Sequence, residues 1–244
     1  MKRIRIIALA ALAALATPPA PALAQQAEAA TADLHTQLYE IIVGGVDLEV
    51  AAWRITTDTV DQLLASDALL AEVQSEEPDF RKDLITTFYP HMMTMTRRIQ
   101  ADYRPQFIAM LQNRLTASEA EMMIDVFGSR VGRKLMGGIS RNINSERSME
   151  EGWDGGEISR EAIEADNRET ARVSVSQLDE QDMLDLAAFA ERYPTLLPTF
   201  QALSPHLLDI RVRMDNELPT LEEDRLLFDD IVNLYARYGM ELES

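Results

Sequence analysis

Apolar positions in the first third of the chain recur at helical spacing. Leu34, Leu38, Ile41 and Ile42 share one face, which Gly44-Gly45 ends. A second helix is predicted over 46–64, with Val50, Trp53, Val60 and Leu64 as core positions. Pro78 suits the first turn of a long helix over 79–103. Pro90 falls inside that helix, where the missing N–H and the ring clash predict a kink or a split.

The next start is a capping box. The Thr116 hydroxyl can take an orphan N–H of the first turn, and Glu119 can return the bond. Met122, Met123, Val126, Phe127 and Val131 form the apolar stripe behind it. Gly128 is read as a left-handed stop and Ser129 as a fresh N-cap, opening a helix over 130–143.

The segment 144–156 is polar, carries Gly152, Gly155 and Gly156, and reads as a linker. Residues 158–175 read as a charged helix and a solvated connector. Asp179 with Asp182 opens another helix that runs to Arg192. Pro194 and Pro205 each suit a first helical turn. Thr220 with Glu223 is a second capping box, and Phe228, Ile231, Leu234, Tyr235 and Tyr238 line the last helix. Glu222, Glu223 and Asp224 suit its first turn, and Asp229-Asp230 its wet face. Alternating β-branched runs do not occur. The pattern therefore predicts an all-α, multi-helix bundle of about ten helices.

Composition narrows the classes of function. The 244 residues include no cysteine, which excludes disulfides, thiolate metal sites and a cysteine nucleophile. With 41 acidic against 23 basic residues the formal charge is −18, which argues against nucleic acid as a partner. The N-terminus changes this picture slightly. Lys2, Arg3 and Arg5 precede an apolar run over 6–16, then Pro18, Pro19 and Pro21, then Ala22-Leu23-Ala24. This is the signal-peptide pattern, so 1–24 is expected to be cut off before Gln25 and the chain to be periplasmic. Removing the leader takes away three basic side chains and no acidic one. That leaves 20 basic against 41 acidic residues, a net charge of −21. No later stretch approaches the ~18 apolar residues a membrane span needs, so no transmembrane segment is expected after cleavage.

Two stretches repeat weakly at an offset of 62 residues, with residues 127–132 falling on 189–194 and Leu135 on Leu197. Each has an aromatic near a helix end, a break, and another helix. Duplication would make the N-terminal region, 25–143, and the C-terminal region, 158–244, two similar helical halves joined by 144–157. Two helix–turn–helix units sharing the pattern by chance is the alternative.

The run Val126-Phe127-Gly128-Ser129-Arg130-Val131-Gly132-Arg133-Lys134-Leu135 resembles the hallmark of the domain-of-unknown-function 2059 family of exported, all-helical bacterial proteins. Phe127, Ser129, Gly132 and Lys134 match it, while Val126 replaces an aromatic and Arg130 the usual proline. Leu115-Thr116 with Glu119 resembles the family's helix start, and the likeness spans 79–143. At 189–194 only Phe189 persists, with Glu191 and Pro194 at the Ser and Gly positions, so the C-terminal region would be a degenerate repeat. The resemblance implies a helical fold and export, and no catalytic residues. Within the motif, Ser129 caps, Gly132 permits close helix approach and Lys134 can pair with an acid. A binding role for the Ser129–Lys134 turn is the alternative.

Chemistry-bearing candidates are few. Ser129 and Lys134 lack the S-x-x-K spacing of serine acyl-transfer enzymes, and no G-x-S-x-G elbow or phosphate loop occurs. His91, Met92 and Met95 could offer imidazole and thioether ligands to Cu(I); methionines filling a core beside Pro90 is the competing reading. Asp154 and Glu157, with Glu150 and Glu151, lie in a Gly-rich stretch without EF-hand spacing, which reads as solvated linker. The expected function is a non-enzymatic binding or interaction module of the cell envelope, with no cofactor implied. Its groove would be lined by Met92, Met95, Met122 and Phe127 and would take a protein, a peptide helix or an apolar ligand. The rivals are an envelope hydrolase with a carboxylate site and a Cu(I)-handling protein.

Overall fold

The computed structural model describes residues 24–153 and 155–240, with side chains from residue 33 on. The basic leader and its cleavage signal, and Asp154 of the glycine-rich stretch, lie outside the described residues. Eleven helices and no strands are found among them. They are α1 (Ala24–Gly44), α2 (Leu48–Ser66), α3 (Ala68–Glu76), α4 (Phe80–Arg114), α5 (Ala117–Phe127), α6 (Arg130–Asn142), α7 (Glu146–Trp153), α8 (Arg160–Ser176), α9 (Glu180–Arg192), α10 (Leu196–Asp215) and α11 (Leu221–Arg237). The all-α bundle read from the periodicity is the fold. Among the described residues no helix is long and apolar enough to cross a membrane.

The 35-residue α4 is the spine, and α1, α2, α3, α10 and α11 all pack on it. Its first half buries Phe80, Leu84, Phe88 and Met92 against Ile55 and Val60 of α2 and Leu227 and Leu234 of α11. Its middle sets Met95 and Ile99 against Ile210 and Met214 of α10. Its end joins Leu111 to Leu38 and Tyr39 of α1, Met122 and Met123 of α5, and Leu203 of α10. Residues before 144 and after 157 thus share the same apolar clusters.

Several local readings are corrected. Pro90 does not split the long helix, which runs through Pro90 and Pro105 to Arg114. Helices packed along its length stabilise it, and the Thr94 hydroxyl donates to the Pro90 carbonyl at 2.9 Å. On α2, Val50 and Trp53 face solvent, while Ala51, Ala52, Ile55, Thr56, Thr59, Val60 and Leu63 are buried. Small residues there allow a close approach to α4, and Trp53 instead meets Tyr89 edge-on with ring centres 5.2 Å apart. Gly128 is right-handed, with φ −74°. Its need for glycine is spatial, because a Cβ there would stand 2.7 Å from the Ile124 carbonyl oxygen. Pro78 and Pro194 precede their helices, and Pro205 lies inside α10. On α11 Leu234 is buried as expected, together with Leu227, while Phe228 is exposed.

The expected linker is largely helix. Residues 146–153 form α7, whose Ser148, Met149 and Gly152 are buried against α8. Nor is α8 a solvated connector, since Ala162, Ile163, Asp166, Thr170 and Ser174 are buried. Asp166 explains the join. Its carboxylate accepts from the backbone N–H groups of Arg147 (3.2 Å) and Ser148 (2.9 Å) and from the Ser148 hydroxyl (2.7 Å). These are orphan donors of the α7 first turn, satisfied from a neighbouring helix.

Candidate functional site

The motif turn is a helix junction. Ser129 accepts from the Gly132 N–H at 3.0 Å and caps α6. A Cβ on Gly132 would lie 2.6 Å from Phe127 Cα and 2.7 Å from the Phe127 oxygen, so α6 leaves α5 at a distance only glycine allows. Phe127 is half-buried and meets Phe200 of α10 at 6.0 Å between ring centres. Lys134 donates to Asp179 at 2.8 Å and to Asp182. Arg130 pairs with Asp182 at 2.7 Å and Asp185 at 2.9 Å.

These pairs hold the start of α9. Its N-terminus carries a reciprocal box between Asp179 and Asp182, and Asp182 is fully buried. Its C-terminus is held by Asp125 of α5, which accepts from the Tyr193 hydroxyl at 2.8 Å and from Arg192 at 2.9 Å. Between these ends α9 is open: Asp182 is its one buried residue. Met183 and Leu184 (58% exposed) face solvent, as do Leu197 (65%) and Phe200 at the start of α10. Both stretches of the weak repeat are helix–turn–helix units, α5–α6 and α9–α10. They differ at the cap, since Thr195 makes no side-chain capping bond where Ser129 does.

The Lys134 hydrogen bond, aided by the backbone N–H of Asp182, holds the Asp179 carboxyl down to about 2 from an ordinary 3.8. A depressed carboxylate stabilises the fold above its unfolded value, and that contribution is lost as pH falls through the folded value. Asp179→Asn keeps an N-cap acceptor and removes the charge. The variant is expected to melt below the parent at pH 7, with the gap closing as pH falls from about 4 to about 2. A gap that stays constant in a pH series of thermal melts would contradict this.

The proposed groove residues are dispersed. Met92 lies in the α2–α4–α11 cluster, Met95 in the α4–α10 cluster, and Met122 and Phe127 in the α1–α5 cluster. The three methionines are buried, so they line no common groove. His91 bonds to Asp230 of α11 at 2.8 Å, and Met92 and Met95 are buried in separate apolar clusters. Among the described residues no group of three or more His, Asp or Glu side chains is arranged to hold a metal ion.

A cleft of about 390 Å³ opens instead between α2 and the α6–α7 connection. Arg54, Asp58 and Asp61 line one side, and Asn144, Ser145, Glu146 and Glu150 the other, with Ile143 and Met149 also in the lining. Burial raises the Asp58 carboxyl above its ordinary value, Arg54 opposes the shift, and Asp61 adds to it. Asp61 is held by Arg81 through two hydrogen bonds, at 2.6 and 2.8 Å. Periodicity could not find this cleft, because its residues come from segments more than 80 positions apart; the acids at 146 and 150 were visible only as linker charge.

Fold and site together define an all-α bundle with a solvent-facing helix anchored by ion pairs and a separate acidic cleft. No protein-family model, curated protein or solved structure matches the chain.

Proposed function

We propose that the protein is an exported, non-enzymatic interaction module of the bacterial cell envelope, acting in the periplasm by docking a cationic amphipathic helix of a partner protein on α9. The observation that carries this reading is the state of α9. A helix with an apolar face ordinarily buries that face. Here α9 is fixed at both ends by polar bonds while Met183, Leu184, Ala187 and Ala188 stay in water, as do Leu197 and Phe200 of α10. Exposed patches of this kind suit partner binding. Glu180 and Glu191 flank the face, and the whole chain is acidic, so the complementary helix is basic. The leader pattern and the motif resemblance at 126–135 support export. The bond of His91 to Asp230, with Met92 and Met95 in separate buried clusters, favours docking over copper handling.

The test is fluorescence anisotropy with a labelled Leu/Lys amphipathic helical peptide and a scrambled peptide of equal charge. The helical peptide is expected to bind, and Met183→Lys with Leu184→Lys to weaken it at least about tenfold, as removal of two apolar anchors should. Equal binding of the scrambled peptide, or an unaffected double variant, would refute the docking face. Recovery of the chain from a periplasmic fraction beginning at Gln25 would support export; recovery with the leader intact would count against it.

A further inference from the structure

Twelve methionines stand in a chain without cysteine. Thiolates are the side chains a peroxide attacks first, so here the thioethers are left as its softest targets. Eight of them are buried, at 1–7% exposure, and Met110 and Met240 are half-buried. Among the described residues Met183 alone is an exposed methionine, at 49%. Core packing keeps oxidant and water from the buried sulfurs. The Met183 sulfur has no such cover. Side chains on a helix lean toward its N-terminus, so the residue one turn on shields the one before. That residue is Ala187, which carries a single methyl group.

The place of this thioether matters as much as its exposure. Met183 and Leu184, with Ala187 and Ala188, make up the apolar face of α9. A thioether there contributes apolar area. A sulfoxide puts a strong hydrogen-bond acceptor in its place. An amphipathic helix covering the face would have to strip that acceptor of water, and its apolar side offers no donor in return. The bonds that hold α9 do not involve Met183. Lys134 and Arg130 reach Asp179, Asp182 and Asp185, and Asp125 holds Tyr193 and Arg192. Oxidation therefore changes the face and leaves the helix and its anchors as they are.

We propose that Met183 is a modification site that controls the docking face, with hydrogen peroxide as the oxidant. The sulfur lone pair attacks one peroxide oxygen, and the S–O bond forms as the O–O bond breaks. The hydroxide that leaves takes the proton of the S–OH group and becomes water. The thioether loses two electrons, the peroxide gains them, and the docked helix is released. Reduction of the sulfoxide by a methionine sulfoxide reductase reverses the change. The proposal rests on the docking role given to α9.

Brief treatment of the purified protein with dilute hydrogen peroxide, followed by removal of the peroxide, tests it through two readouts. Tryptic mapping follows residues 173–192, where Met183 is the one methionine. That peptide is expected to gain an oxygen atom at least about tenfold faster than the peptides of the buried methionines. Anisotropy with the labelled Leu/Lys helical peptide, which holds no sulfur, should then show binding weakened at least about fivefold, as loss of one apolar anchor should. A methionine sulfoxide reductase should restore it. Thermal melts should coincide before and after treatment, since no buried group has changed. In Met183→Leu, whatever its own affinity, peroxide should leave binding as it was. Buried methionines oxidised as fast as Met183, or an equal loss of binding in Met183→Leu, would overturn the proposal. Affinity that persists once Met183 is oxidised refutes the oxidation control and keeps the docking face. A parent that never binds the helical peptide refutes the face, and the control with it.

Discussion

Replacing Gly132 by alanine is expected to lower the melting temperature by about 10 °C. The added Cβ would fall within 2.7 Å of backbone atoms of Phe127 and closer still to the Val126 carbonyl oxygen. No rotamer can relieve such a clash, because the obstacles are main chain. The helix pair α5–α6 must separate, which moves Phe127 off Phe200 and draws Lys134 and Arg130 away from Asp182. Overpacking of this kind costs about 3 kcal/mol, and about 3 °C per kcal/mol is usual for a chain of this size. The internal comparison is Gly137→Ala on the same helix, where the nearest atom is the flexible end of Arg141 at 3.4 Å. That change is expected to stabilise by about 0.5 kcal/mol, since glycine is costly in a helix interior. Thermal melts of the two variants decide the matter, and equal effects would remove the steric explanation.

Asp166→Ala should cost a further about 3 kcal/mol, through a different mechanism. Two backbone N–H groups and the Ser148 hydroxyl lose their acceptor, and the Ser148 groups sit in a buried position. Each buried donor left without a partner costs about 1–3 kcal/mol. The loss should be local before it is global. Hydrogen exchange should quicken at residues 146–150 while α4 stays protected. Asp166→Asn, which keeps one acceptor oxygen, should fall between parent and alanine variant. Uniform exchange across the chain in the alanine variant would show that α7 is not held by this carboxylate.

The helix starts were the most legible feature of the sequence. The boxes at Thr116/Glu119, Asp179/Asp182 and Thr220/Glu223 are all present, and Ser129 caps α6 as its spacing implies. Each depends on residues three apart, and that geometry is complete within one turn. The breaks were less legible. Proline at 90 argues locally for a split, but the decision rests with the helices packed against α4. The buried face of α2 is legible only in part: Val60 and Leu64 pack into the core, but large apolar side chains mark hydrophobicity and not direction. Val50 and Trp53 belong to the wet face, and two alanines belong to the core.

Part of the candidate site could be read in advance. The spacing assigned Ser129 to a cap, Gly132 to a close approach and Lys134 to an acid, and the structure provides partners for all three. It did not identify which acid, because Asp179 and Asp182 come from a helix more than 40 positions away. The methionine groove failed for the same reason in reverse. Neighbours at helical spacing, Met92 and Met95, enter different clusters, since α4 meets α2 and α11 along one stretch and α10 along the next.

By itself, then, the sequence determined helix type, helix starts, the acidic balance and the chemistry available to the motif turn, because these follow from propensity, capping and composition over a few residues. Only the tertiary structure decided that the polar stretch after residue 143 is a packed helix, that α9 keeps an apolar face in water, and that acids from α2 and α7 border one cleft. Those outcomes depend on which distant segment lies alongside, and packing settles that through shape and the pairing of buried polar groups.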